Sequence, residues 1–207
     1  MEAARRFDPA WNTTVLDAAA SSPLITINVE MPEDVVAREA LLDSAMGLKR
    51  KRKSSEKLRR GRMPAEGLAL VARAADGALA GTVRLWHVTL GEGGAKALLL
   101  GPLAVDPAMK SAGIGSALMK QAIARAAALG HAAILLVGDP EYYARFGFSA
   151  EKTGDLAMPG PFEKHRFLAL ELEPGALDGA CGVLRPAGRM RPQKKPSLGR
   201  KRAVGGC

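Results

Sequence analysis

The chain has 207 residues, of which 47% are hydrophobic and 25% charged, a composition typical of a folded domain and not of a disordered chain. No stretch approaches the roughly 20 apolar residues of a membrane-spanning helix, and the N-terminus lacks the apolar segment of a signal peptide. The two cysteines, Cys181 and Cys207, have neither metal-ligand spacing nor the pattern of a disulfide framework. We therefore expect a cytoplasmic protein with no membrane span and no bound metal.

The net charge of +9 is concentrated in two basic segments. Residues 49–62 contain nine Lys and Arg with one Glu, and residues 185–207 contain eight Lys and Arg with no acidic residue. The rest of the chain is net negative, so the overall basicity does not indicate a basic surface throughout. Each segment is either a solvated charged surface or a site for an acidic partner.

The first part of the chain predicts one strand and two helices. Residues 1–23 are polar and rich in Ala, and we expect a poorly ordered lead-in. An alternating β-branched run predicts a strand at 24–30. Acidic and then apolar residues predict a helix that ends at Gly47, and a short helix is expected at 54–60. The apolar residues at helical spacing are Val35, Val36, Ala40, Leu41 and Ala45.

The middle of the chain predicts a hairpin followed by a strand, a helix and a strand. Predicted strands at 67–74 and 78–88 flank Ala-Asp-Gly, which is a turn signal. A strand at 98–105 precedes a helix that ends at Gly130. The remaining predicted elements are a continuously apolar buried strand at 132–138, a short helix at 139–146 with Pro140 in its first turn, and strands at 148–150 and 167–173.

This order of elements predicts an α/β (α+β) fold. Three antiparallel strands followed by a βαβ step give a mixed, mostly antiparallel sheet with flanking helices. From Pro174 onward Pro, Gly and basic residues accumulate, so residues 174–207 are expected to form a mobile basic tail. The folded domain is therefore expected at 24–173.

A glycine-containing junction, VDPAMKSAGIGSALM at 105–119, connects a predicted strand to a predicted helix. A helix start presents unpaired N–H groups and a positive dipole end, and glycine lets an anion approach the backbone closely. Two common phosphate loops are excluded. No Lys-Ser/Thr pair follows Gly115, and Leu118 occupies the third glycine position of the dinucleotide fingerprint. The junction is thus either an anion site of another kind or a plain connection.

Two motifs resemble those of the GNAT acetyltransferase superfamily. Lys110, Gly113 and Gly115 form K-x-x-G-x-G, which is similar to the family's motif A, usually Q/R-x-x-G-x-G/A. DPEYYARFGF at 139–148 resembles motif B, in which a tyrosine precedes a Gly-Phe pair; Tyr143 lies four residues before Gly147. The resemblance covers about residues 24–173 and is nearest to small bacterial predicted N-acetyltransferases. It implies a GNAT-like sheet with an acyl-CoA gap between its fourth and fifth strands.

The resemblance also implies an activity. The expected reaction is transfer of an acetyl or other acyl group from acyl-CoA to an amine by direct attack, with acyl-CoA as co-substrate. Tyr143 is the implied proton donor to the CoA thiolate, and Tyr142 is the alternative if the helix register differs by one. The implied donor-binding residues, on the fourth strand and the loop after it, are Leu103, Ala104, Val105, Lys110, Ser111, Ala112, Gly113, Ile114, Gly115 and Ser116.

The general base and the acceptor are not identified. His87 and Asp139 are candidate bases, but a strand-end position in solvent for His87 and a helix cap for Asp139 explain them better. In this family the acceptor site is formed by the first helices and a late hairpin, which here are about residues 33–62 and 151–167. The acceptor is expected to be a small-molecule or protein amine.

Two alternatives stay open. In one, an acidic acyl carrier protein is guided by the basic residues 49–62. In the other, the chain is a non-catalytic acyl-CoA sensor or a nucleic-acid-binding protein, although no aromatic residues are interleaved with the basic ones, which disfavours nucleic acid. The sequence leaves open whether the chain forms a homodimer.

Overall fold

The computed structural model describes residues 25–192 of the chain. The predicted lead-in at 1–23, Leu24, Cys207 and the last part of the predicted tail lie outside these residues. The strands are β1 Thr26–Val29, β2 Ala69–Arg73, β3 Leu79–Thr89, β4 Lys96–Val105, β5 Ala133–Val137, β6 Asp155–Ala157, β7 Phe167–Glu171, β8 Cys181–Val183 and β9 Arg185–Pro186. The α-helices are α1 Asp34–Met46, α2 Glu56–Arg59, α3 Ile114–Ala128 and α4 Pro140–Ala144.

The main sheet has the strand order β1-β2-β3-β4-β5-β7, with β9 also paired to β3. Strands β1 to β4 are antiparallel neighbours, and β5 runs parallel to β4 because α3 crosses over between them. Strand β7 returns antiparallel to β5. The predicted mixed, mostly antiparallel sheet with flanking helices is confirmed.

The two faces of the sheet are covered by different helices. On the first face α3 packs through Ile114, Leu118 and Ala122 on a core that includes Leu98 and Ile134. On the second face Leu58 of α2 packs with the neighbouring residues of the same strands, Leu99 and Leu135. Since successive residues of a strand point to opposite faces, this alternation gives the buried, apolar strands seen in the sequence.

Helix α1 covers the second face through a charged and not a purely apolar surface. Val36 is 81% exposed, whereas Arg38 is 2% exposed. Glu30 accepts hydrogen bonds from both Arg38 and Arg84. Arg84 alternates with Val83 and Leu85, which lie in the first-face core, so its side chain points to the second face. The spacing of apolar residues predicted the helix correctly but did not predict which side of it is buried.

The chain after Pro174 is part of the fold up to residue 192. Strand β8 pairs with β6, β9 pairs with β3, and Arg62 forms an isolated bridge with Met190. The expected mobile tail at 174–207 is therefore wrong for 174–192. These strands have two or three residues each and lack the alternating apolar pattern from which strands are predicted.

Two smaller differences lie between α4 and β7. Strand β6 was not predicted, and the strand expected at 148–150 is reduced to a bridge between Ser149 and Ala169.

Within residues 25–192, no helix is both long enough and apolar enough to cross a bilayer.

Candidate active site

An opening in the sheet separates the second halves of β4 and β5. The two strands pair only at Leu98–Ile134 and Leu99–Leu135. Immediately after this point β4 contains a bulge, where Gly101 and Pro102 lie opposite the single residue Arg84 of β3. Pro102 has no N–H with which to continue a ladder. The sheet therefore opens between β4 and β5 at Gly101.

Backbone amides of β4 line this opening. The Asp106 N–H donates to Ala80 O at 2.8 Å, on the β3 side. Successive N–H groups of a strand point to alternate sides, so the amides of Leu103 and Val105 face the opening. Ala104 lies opposite Thr82, so its amide faces β3. Of the three β4 residues predicted to bind the donor, Leu103 and Val105 have amides that face the opening, and Ala104 does not.

The loop after β4 ends in a helix start without a side-chain cap. Ser111 and Gly113 have φ of 72° and 75°, in the left-handed region, and Gly113 is the N-cap of α3. The first bond of the helix is from Ala117 N to Gly113 O at 3.0 Å. In the part of the chain that is described, the N–H groups of the first turn have no acceptor. These groups belong to Ile114, Gly115 and Ser116, and the loop before them carries the exposed Lys110 and Ser111 and the half-buried Ala112.

Tyr142 lies against this helix start. A Cβ on Gly115 would be 2.8 Å from the Tyr142 hydroxyl oxygen, so only glycine leaves room for both groups. Arg145 stacks on the ring of Tyr142, with its Cζ 4.2 Å from the ring centroid. The second glycine of the motif thus brings a phenol to the N-terminus of α3.

Tyr143 lies at the end of β5, on α4. Asp139 caps this helix by accepting from Glu141 N at 3.2 Å. A Cβ on Gly138 would be 2.1 Å from Cε2 of Tyr143, so the ring packs directly on that glycine. Burial, with smaller contributions from Tyr142 and Asp139, raises the pKa of Tyr143 to about 12. The hydroxyl is therefore protonated at neutral pH and is suited to donate a proton.

Titration of the tyrosines gives a direct check, because Tyr142 and Tyr143 are the only two in the chain. In Tyr142→Phe, we expect the tyrosinate absorbance of the folded protein to rise well above pH 10, because burial, the largest cause of the raised pKa of Tyr143, remains. After unfolding in urea it should rise at about pH 10. Since the folded-state pKa is raised, the stabilisation from neutral Tyr143 is complete below about pH 10 and is lost as the pH rises through about 12. A folded-state midpoint near 10 would contradict the buried environment.

The two candidate bases lie elsewhere. His87 is opposite Leu98, where β4 and β5 are still paired, and its ring centroid is 5.4 Å from that of His131. Burial and the charge of Lys96 lower the pKa of His87. Asp139 has the capping role described above. His87 therefore lies beside the paired part of β4, and the contact found for the Asp139 side chain is with its own helix.

A charged pair on the second face does lie at the opening, and the sequence reasoning missed it. Arg59 Nε donates to Glu56 Oε2 at 2.8 Å. A Cβ on Gly101 would be 3.8 Å from Nη1 of Arg59, and Trp86 Nε1 donates to Gly101 O at 2.6 Å. The available signal was the single Glu of the basic segment, three residues before an Arg on a predicted short helix.

The basic segment 49–62 is only in part a solvated surface. Arg50 is buried and donates to Asp43 at 2.7 Å and to Glu39 at 2.5 Å, and Arg62 donates to Gly188 O. Six of its nine cationic side chains are exposed: Lys49, Lys51, Arg52, Lys53, Lys57 and Arg60. Among residues 25–192, no three His, Cys, Asp or Glu side chains are grouped as metal ligands.

Comparison with known proteins agrees with this geometry. The profile of the Acetyltransferase (GNAT) family matches residues 38–148. The uncharacterized N-acetyltransferase YhbS of Escherichia coli K12 is 29% identical over 158 residues, which cover 76% of this chain and 93% of YhbS.

Two solved structures are also similar. One is E. coli YhbS in complex with CoA, with a TM-score of 0.69 and 28% identity over 83% of this chain and 94% of that one. The other is a GNAT family acetyltransferase from Brucella melitensis in complex with acetyl-CoA, with a TM-score of 0.58 and 25% identity over 79% and 96% of the two chains. The chain is a member of the GNAT acetyltransferase family and an acyltransferase.

Proposed function

We propose that this chain transfers an acetyl or other acyl group from acyl-CoA to an amine by direct attack. The observation that carries the proposal is the opening between β4 and β5, which has an uncapped helix start at one end and a protonated tyrosine beside it. The CoA and acetyl-CoA in the two similar structures support acyl-CoA as the donor.

The donor's pyrophosphate is held at the N-terminus of α3. The N–H groups of Ile114, Gly115 and Ser116, which have no acceptor among residues 25–192, and the positive end of the helix dipole favour an anion there. Lys110 adds a cation. The pantetheine arm lies in the opening, where the amides of Leu103 and Val105 donate to its amide and thioester oxygens.

The reaction needs a free amine, a polarised carbonyl and a protonated leaving group. The amine nitrogen attacks the thioester carbon, the new N–C bond forms, and the C–S bond breaks. Tyr143 protonates the sulfur, giving CoA and an amide. The proton lost by the amine passes to solvent, and Tyr143 regains a proton from solvent. Tyr143 is assigned the acid role in preference to Tyr142, because the hydroxyl of Tyr142 lies at the helix start that binds the pyrophosphate.

A second candidate is transfer from an acidic acyl carrier protein in place of free acyl-CoA. The observation that favours it is the set of six exposed cationic side chains in residues 49–62, because such a surface attracts an acidic partner and accelerates its association. Transfer from the carrier protein would then be faster than from free acyl-CoA and would slow at high salt.

The test is release of the CoA thiol from acetyl-CoA in the presence of a panel of primary amines. We expect release that depends on the amine and the corresponding acetylated amine as product. Binding of acetyl-CoA with no thiol release for any amine or protein acceptor would instead indicate the non-catalytic sensor.

A further inference from the structure

Arg59 is a nearly buried guanidinium whose hydrogen bonding is incomplete. Its side chain is 10% exposed, and its Nε donates to Glu56. Among residues 25–192, nothing accepts from Nη1 or Nη2, although solvent reaches both nitrogens. An arginine has five N–H donors, so four of those of Arg59 are available to a ligand.

Three other largely buried arginines bind carboxylates with more of the guanidinium than Arg59 does. Arg38, Arg50 and Arg84 have side chains that are at most 10% exposed. Each of them uses two guanidinium nitrogens to bind carboxylates. Buried polar groups are usually hydrogen-bonded because leaving them unpaired is costly. The side of the Arg59 guanidinium formed by Nη1 and Nη2 therefore has the character of an anion site.

The position of Arg59 connects this site to the reaction. Nη1 points to Gly101, where β4 leaves β5, and approaches it from the face opposite α3. Leu58 is 1% exposed in the second-face core and fixes the short helix that carries Arg59. Glu56 orients the guanidinium from the Nε side. A ligand bound by Arg59 would thus lie beside the acyl group, on the face across the sheet from the pyrophosphate loop.

We infer that Arg59 binds the carboxylate of the acceptor and that the acceptor is a small amine carrying a carboxylate, such as an amino acid. The edge formed by Nη1 and Nη2 matches the two oxygens of a planar carboxylate, which arginine binds in a bidentate manner. Glu56 is the positioning residue for Arg59. The inference rests on the proposed acyl transfer and adds the class of acceptor to it.

The test measures binding of products and does not require turnover. With the protein saturated in CoA, thermal shifts are recorded with N-acetyl amino acids and with the corresponding N-acetyl amino acid amides, which lack the carboxylate. We expect at least one acid to bind about tenfold or more tightly than its amide. Arg59→Gln should abolish that preference. Arg59→Lys keeps the charge but lacks the two nitrogens needed for bidentate binding, so it should reduce the preference. Arg60→Gln, the same change at an exposed neighbour, should keep it.

Equal binding of acids and amides by the wild type would overturn the inference, and so would an unchanged preference in Arg59→Gln. If Arg59→Gln does not fold, the wild type and Arg59→Lys still decide the outcome. The CoA shift itself separates the two proposals. A CoA shift without an acid preference contradicts only the role of Arg59, whereas the absence of any CoA shift contradicts the proposed function and this inference with it.

Discussion

Replacing Tyr143 by Phe is expected to lower kcat about 10- to 1000-fold while leaving the affinity for acetyl-CoA nearly unchanged. The ring keeps its packing on Gly138, so the fold and the donor site are retained, and only the proton donor is lost. Steady-state kinetics with acetyl-CoA and an active amine, together with calorimetric binding of CoA, separate the two effects.

Tyr142→Phe is the informative comparison. Its hydroxyl lies at Gly115, so we expect its removal to affect the binding of the donor more than kcat. An unchanged kcat in Tyr143→Phe would remove Tyr143 from the mechanism. A large loss of kcat in Tyr142→Phe alone would transfer the acid role to that residue.

Replacing Glu30 by Gln is expected to lower the free energy of unfolding by about 3–5 kcal/mol. The Glu30 side chain is 6% exposed and accepts from two guanidinium groups, those of Arg38 and Arg84. The change removes the negative charge of Glu30 and leaves the buried positive charges of Arg38 and Arg84 less well neutralised. Burial already lowers the pKa of Arg84. Urea unfolding followed by circular dichroism measures the difference.

The same substitution at an exposed ion pair is the control. Glu92 is 82% exposed and pairs with Arg185, which is 56% exposed. Because water solvates both groups, Glu92→Gln should leave the urea midpoint unchanged within error. Equal effects of the two substitutions would mean that the pairs of Glu30 do not support α1.

The sheet and its helices were largely predictable because their signals are local. The hairpin of β2 and β3 follows from the turn residues between two apolar runs. Helix α3 ends at Ala128, two residues before Gly130, which has the positive φ of 76° that glycine tolerates. The loop at Lys110, Gly113 and Gly115 was visible in the sequence for the same reason. A helix start without a capping side chain is a property of a few consecutive residues.

The features that escaped prediction depend on contacts between distant parts of the chain. The inward side of α1 is set by the pairing of Arg38 with Glu30, and a helical periodicity of apolar residues does not report such pairing. The direction of the Ala104 amide follows from the bulge at Gly101, which only the register with β3 reveals. Arg59 was one of nine cations in its segment, and its burial beside Gly101 distinguishes it from the exposed ones.

The most direct test of the account is the stability of the protein with and without acetyl-CoA. A ligand that binds only the folded state stabilises it by about 2.7 kcal/mol at a concentration of 100 Kd, which for a chain of this size raises Tm by roughly 5–10 °C. We predict a rise of this order with acetyl-CoA and with CoA. An unchanged Tm with both, at millimolar concentration, would contradict the claim that the opening between β4 and β5 and the start of α3 form an acyl-CoA site.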